Sequence, residues 1–325
     1  MLNHEQLLKL IRDKVEHPAT PRELLQRLKL SRDERPTLKR LLKDLVKSGE
    51  LVETRGNRYG LPDRMNLIVG RITTHPRGFG FVVPDRPVDG VTGDIYVAGS
   101  NLNQAMHGDR VVARVERVTD RGAEGRILRI LERGAARIVG RFEADSSGAG
   151  FVVPFDRRLI MDVQIPPGDR GEAKSNDMVL AAISRWPTAA RGPVGRVTEV
   201  LGAIDEPGVD TEIIIRKHGI PDAHGEEAIE EARRLGTEVR ERDIAGRTDF
   251  RSWVTVTIDG EHARDFDDAI TIERLANGNY WLGVHIADVA HYVPEGGPLD
   301  EEAYDRATSV YFPDRAVHML SLIHI

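Results

Sequence analysis

The sequence has no cysteine, which excludes disulfides, thiolate catalysis and cysteine-ligated zinc. It has no apolar run approaching the ~20 residues that a membrane-spanning helix needs. Residues Met1 to Pro18 interrupt their apolar positions with charges. They predict an amphipathic helix rather than a signal peptide, whose core is uninterrupted. No membrane contact is expected, and these absences favour the cytoplasm. An overall positive charge is also lacking: 46 Lys/Arg against 52 Asp/Glu leave −6. Net charge alone therefore does not point to nucleic acid.

What is there is unevenly placed. Residues 1–62 carry 14 Lys/Arg against 9 Asp/Glu, and residues 201–325 carry 12 against 26. A basic front can hold phosphates. An acidic back is either a solvated surface or a place where carboxylates gather around metal. The 325 residues, 40% of them hydrophobic, leave room for two or more domains of ~100–200 residues each.

Residues 1–62 predict three helices and a hairpin. Leu7, Leu8, Leu10, Ile11 and Val15 recur at helical spacing. Thr20-Pro21 reads as an N-cap followed by proline at the first helical position, ahead of Leu24, Leu25 and Leu28. Ser31 opens a third helix through Leu38, Leu41, Leu42, Leu45 and Val46. Strands flank a turn at Gly56-Asn57. This is the winged-helix pattern. Its third helix bears Arg35, Lys39, Arg40, Lys43 and Lys47, either a phosphate contact or a solvated face. Nucleic acid and protein are both open as its partner.

Residues 66–200 contain an internal repeat. Gly70-Arg71 returns as Gly140-Arg141, and Gly80-Phe81-Val82-Val83-Pro84 returns as Gly150-Phe151-Val152-Val153-Pro154. Alternating apolar residues between glycines predict two small β-barrels. In the first copy, Arg77-Gly78-Phe79-Gly80-Phe81-Val82 puts two rings on one face of a strand beside an arginine. That suits stacked bases and a phosphate, although both rings could instead be core. The run resembles the RNA-binding motif of cold-shock domains, an OB-fold family. The second copy has Ala149 where the first has Phe79 and keeps only Phe151, so weaker stacking is expected there.

Residues 201–250 read as a connecting segment with one charged amphipathic helix between Asp222 and Gly236. Beyond it, Val254, Val256 and Ile258 alternate and predict a strand running into Asp259. Asp265, Asp267 and Asp268 follow before Ala269-Ile270-Thr271-Ile272 begin another strand. Four aspartates within ten residues repel one another unless a cation sits among them. Carboxylate oxygens suit Mg²⁺, and Mn²⁺ is acceptable by ligand type. The alternative is an acidic loop exposed to water.

The runs TIDGEHARDFDDAI, LGVHIADVAHYV and TSVYFPDRAVHML resemble the start of the catalytic (RNB) domain of the ribonuclease II/R family, and the upstream domain order is similar to that family's as well. The resemblance implies a multidomain α+β protein. Its parts are a winged-helix domain over 1–62, cold-shock/OB barrels over 66–132 and 136–200, a connecting segment over 201–250, and the N-terminal part of an RNB domain over 251–320. It implies a monomeric, processive 3′→5′ hydrolytic exoribonuclease, Mg²⁺-dependent, that releases nucleoside 5′-monophosphates from single-stranded or structured RNA. Asp259, Asp265, Asp267 and Asp268 map onto the family's metal-holding aspartates, with Asp267 the one most needed for cleavage. Tyr311 lies where the family stacks a tyrosine on the 3′-terminal base; from the residues alone it reads as core. His285, Asp288 and His291 have metal-like composition but are not the family's main ligands.

After Leu320, residues 321–325 do not resemble the family's continuation. A truncated chain with a foreign tail is expected, a natural short form being the alternative. Residues 250–320 are then expected to expose apolar surface, and the chain itself to be nearly inactive. Two competing readings remain: a non-catalytic RNA-binding protein working through residues 1–200, and a winged-helix DNA-binding regulator.

Overall fold

The computed structural model describes residues 2–88, 90–91, 93–120, 122–146, 148–236, 238–260, 263 and 266–320. The chain divides into two units, residues 1–209 and 210–325.

The first unit opens with α1 (His4–Lys14), α2 (Pro21–Arg27) and α3 (Arg35–Lys47). Asn3 and Gln6 cap α1 reciprocally, as Thr20 and Glu23 cap α2, so both starts satisfy their orphan amides locally. A short 3₁₀ turn over Arg32–Glu34 intervenes between Ser31 and α3, because Pro36 fits only the first turn of a helix. Leu7, Ile11, Leu24, Leu38, Leu42 and Leu45 bury one face of each helix in a shared core. The hairpin β1 (Val52–Thr54) and β2 (Arg58–Gly60) pairs Thr54 with Arg58 and turns through Arg55, Gly56 and Asn57, the last two at positive φ. Arg64 fastens the end of α1, donating to the carbonyls of Val15 at 2.6 Å and Arg12 at 2.8 Å.

Two closed barrels follow. The first contains β3 (Leu67–Thr74), β4 (Gly80–Pro84), β5 (Ile95–Val97), β6 (Arg110–Thr119) and β7 (Gly122–Glu132), in the order β3-β4-β5-β7-β6. The second contains β8 (Arg137–Ala144), β9 (Gly150–Pro154), β10 (Val163–Ile165), β11 (Asp177–Arg185) and β12 (Val194–Ala203), and closes in the same cyclic order. In each, one parallel pair, β5–β7 or β10–β12, seals the barrel. The repeated Gly-Arg has a steric cause. A Cβ at Gly70 would overlap the Val83 carbonyl, and one at Gly140 the Val153 carbonyl. Ile72, Val82, Ile95 and Val97 fill the first barrel. Phe142, Val152, Val163 and Ile165 fill the second, joined by Met106 from the first barrel's β5–β6 connection. Asp109 is wholly buried beside that connection, bound by Arg133 at 2.9 Å and by the amides of Met106 and Gly134. Arg133 lies 4.6 Å from the Trp186 ring centroid.

The second unit comprises α4 (Val209–His218), α5 (Glu226–Leu235), α6 (Glu241–Ile244), β13 (Thr255–Val256), β14 (Asp268–Arg274), β15 (Tyr280–Ile286), α7 (Val289–Tyr292), α8 (Pro298–Arg306), β16 (Val310–Tyr311) and β17 (Ala316–Val317). Ala228 and Ala232 of α5 pack on Leu299 of α8. Arg306 binds Glu302 at 2.7 Å and the carbonyls of Pro221 and Ala223. The expected strand into Asp259 is shorter than its alternation predicts. β13 pairs with β14 only at Thr255 and Val256, and Val254 and Ile258 are exposed, so nothing packs on them to hold the extended run. The expected apolar exposure is present. Ile272, Leu282, Val284 and Ile286 share one face of the β13–β14–β15 sheet and are all exposed.

Candidate nucleic-acid interface and acidic segment

Inward glycine and valine leave Phe81 on the outside of β4, and Ile95 and Val97 do the same for Tyr96 on β5. The two are cross-strand partners, each 37% exposed. Phe79 sits in the turn just before β4 yet joins them. Its centroid lies 5.7 Å from Phe81 and 5.6 Å from Tyr96, and Phe81 and Tyr96 are 5.8 Å apart. His75 stacks on Phe79 at 4.5 Å with an 11° interplanar angle. The turn is tight: His75 donates to the Phe79 carbonyl, Gly78 donates to the His75 carbonyl, and Gly78 takes a φ of +86°. Arg77 is exposed at its tip, with its amide donating to His75 Nδ1 at 3.2 Å. Four rings thus form one exposed patch, a face on which unpaired bases can stack.

The sequence singles out Phe79, Phe81 and Arg77; the structure brings the two phenylalanines together and adds His75 and Tyr96, which the sequence pattern does not mark. The signal for Tyr96 was a lone aromatic between Ile95 and Val97. Its proximity to Phe81 comes only from barrel closure.

The corresponding face of the second barrel differs. Phe151 is 43% exposed and lies between Glu143 and Gln164 in register. Asp145 and Ala149 form the turn that His75 and Phe79 form in the first barrel. One ring and two carboxylates stand where the first barrel has four rings and Thr73.

The Asp267 backbone carbonyl accepts from the Ala287 amide at 2.9 Å, and Asp268 opens β14 opposite Ile286. Asp259, Asp267 and Asp268 are exposed. Asp265 lies outside the described residues, as do residues 321–325. Oxygen donors of this kind fit a hard divalent cation. Among the described residues, however, no three Asp, Glu, His or Cys side chains form a group able to hold one. Tyr311 is exposed on β16, edge-on to His318 at 6.3 Å, not in a core.

The neighbouring histidines and Asp288 are engaged elsewhere. His285 Nε2 meets Thr271 Oγ1 at 2.9 Å. Asp288 binds Arg247 at 2.6 Å, which holds its carboxyl below the usual range. His291 meets Asp243 at 3.3 Å. Asp243 is drawn down to about 2, first by the Arg240 amide and then by the Arg240 and His291 side chains.

Residues 247–324 match the RNB domain family, residues 151–224 a cold shock domain family and residues 70–130 the ribonuclease B OB domain family. Ribonuclease R of Thermotoga maritima is 41% identical over 93% of this chain and 42% of its own length. Ribonuclease R of Acidithiobacillus ferrooxidans is 37% identical over 93% of this chain and 68% of its own. The chain thus spans about two fifths of the first of these relatives. Among solved structures, Mycoplasma genitalium RNase R in complex with ribose-methylated single-stranded RNA superimposes with a TM-score of 0.69. Its identity is 26%, over 78% of this chain and 40% of that one.

Proposed function

The chain belongs to the ribonuclease R family, and from that premise we propose that it supplies the RNA-gripping front and the acidic segment of a processive 3′→5′ hydrolytic exoribonuclease releasing nucleoside 5′-monophosphates. The observation that carries this reading is the exposed four-ring patch on the first barrel, in a chain that continues into a match to the RNB family.

Phe79, Phe81 and Tyr96 would stack successive bases, with Arg77 beside them for a phosphate. Stacking and phosphate contacts carry little base information, so sequence preference should be slight. Asp259, Asp265, Asp267 and Asp268 would hold Mg²⁺ or Mn²⁺, which supplies charge neutralisation at the phosphodiester and a more acidic water for attack. Asp267 would be the carboxylate most needed for cleavage. Tyr311, exposed on its short strand, would stack on the 3′-terminal base and set the reacting phosphodiester in place.

The test is release of nucleoside 5′-monophosphate from an end-labelled oligoribonucleotide. In a chain that carries the whole RNB domain, Asp267→Asn abolishes release while RNA affinity stays within about twofold, since an exposed acid far from the ring patch in sequence makes no stacking contact. Undiminished degradation by that variant would falsify the assignment.

A second reading is non-catalytic RNA binding through the front barrels. It is favoured by one observation: the described carboxylates form no metal-holding group. It predicts salt-sensitive RNA binding with no nucleotide release in any divalent metal.

A further inference from the structure

The helical front carries a second charged feature that the ring patch does not explain. An open cleft of about 500 Å³ lies between α3 and the β1–β2 hairpin. Lys39, Arg40 and Lys43 line its α3 side, and Glu53, Asn57 and Tyr59 its hairpin side. The three cations are exposed, and among the described residues none of them is ion-paired. The one carboxylate on α3, Asp44, meets His4 of α1 at 3.2 Å instead. Glu53 lies opposite Tyr59 in the hairpin register. Lys47 extends the row by one more turn, so Lys39, Lys43 and Lys47 rise along the helix in steps of about 6 Å. A polyanion with regularly spaced charges fits that row.

The cleft offers no ring to a base. Tyr59 is only 8% exposed. The first barrel is the reverse, with four rings in one exposed patch. A surface that presents cations without rings suits a nucleic acid whose bases are already stacked inward and whose phosphates face out. We infer that the cleft between α3 and the hairpin docks the phosphate backbone of double-helical RNA, leaving the first barrel to take the unpaired strand. The choice of RNA over DNA rests on the function proposed above; the cleft itself does not depend on the acidic segment.

The test is fluorescence anisotropy of the whole chain with a blunt RNA duplex, a matching DNA duplex, a single-stranded oligoribonucleotide and poly-glutamate. The variant Lys39→Ala/Arg40→Ala/Lys43→Ala changes only exposed side chains, and an unchanged thermal transition confirms that it folds. The expected result is a loss of about tenfold or more in RNA-duplex affinity, and a salt dependence shallower by about three phosphate contacts. Single-strand affinity should stay within about twofold, because stacking on the barrel is untouched. Lys9→Ala/Lys14→Ala, on the outer face of α1, should leave duplex binding unchanged. The inference is overturned if the wild-type chain does not bind duplex, or if the triple variant binds it unchanged. It is also overturned if both RNAs lose equally, if the α1 control loses as much, or if poly-glutamate competes as well as duplex. Equal binding of the DNA duplex overturns the choice of RNA. Because no arm measures hydrolysis, a failed nuclease assignment leaves a positive duplex result standing.

Discussion

The two barrels share strand order, a sealing parallel pair and a glycine forced by close strand approach, yet their outer faces are chemically opposed. The first presents His75, Phe79, Phe81 and Tyr96 as one cluster of rings. The second presents Phe151 among Glu143, Asp145 and Gln164. With one ring in place of four, the second face offers a base far less to stack on. The inward residues of a strand fix the fold, while the outward residues on the same strand are free to diverge. Duplicated topology therefore says little about duplicated function.

The largest effect should come from what the barrels share. Gly70→Val and Gly140→Val each force a side chain into a strand carbonyl, and each should destabilise the first unit by about 3 kcal/mol or more, read by thermal unfolding. If only one does, the barrels are not sterically equivalent. The next tests what they do not share. Phe81→Ala/Tyr96→Ala should weaken single-stranded RNA binding by about thirtyfold or more, at ~1–3 kcal/mol for each of two stacked bases. Phe151→Ala should change it by less than about threefold, since an isolated ring beside carboxylates stacks poorly. Grafting the first face onto the second with Asp145→His/Ala149→Phe/Gln164→Tyr should raise affinity by about fivefold. No gain would show that more than these side chains separates the two faces.

The smallest effect concerns the junction between barrels. Thr74 of the first barrel donates its amide to His107 Nδ1 at 3.3 Å, and its hydroxyl bonds the Arg158 carbonyl of the second. Burial, and then the Arg158 charge, push the His107 pKa down. The folded state therefore binds fewer protons than the unfolded one. The stability this supplies is complete above the unfolded value of about 6.5 and is lost as pH falls toward the lower folded value. A small drop in melting temperature between neutral and mildly acid pH is expected, and His107→Gln should flatten it.

Much of this was legible in the sequence. The 70-residue echo of Gly70-Arg71 in Gly140-Arg141 marked the repeat, and the structure supplies its steric reason. Helical spacing and caps at Thr20-Pro21 placed the front helices. Phe79 and Phe81 were visible because they lie two residues apart. Tyr96 was not, because only closure of the barrel puts β5 beside β4. His75 was hidden as well, since its stacking depends on the positive φ of Gly78. In the acidic segment the alternation through Ile258 overstated the strand, because alternation shows which residues could face a core and not whether one covers them. The aspartates were easy to find in sequence, but carboxylate convergence depends on backbone outside the local pattern.

The central claim is that unpaired RNA is held by the first barrel and not by the second. The most direct measurement is photo-crosslinking of a 4-thiouridine oligoribonucleotide to the whole chain, followed by mapping of the linked peptides. Crosslinks concentrated at Phe79, Phe81 and Tyr96, and lost in Phe81→Ala/Tyr96→Ala, are the predicted result. Crosslinks at Phe151 of equal or greater yield would contradict it.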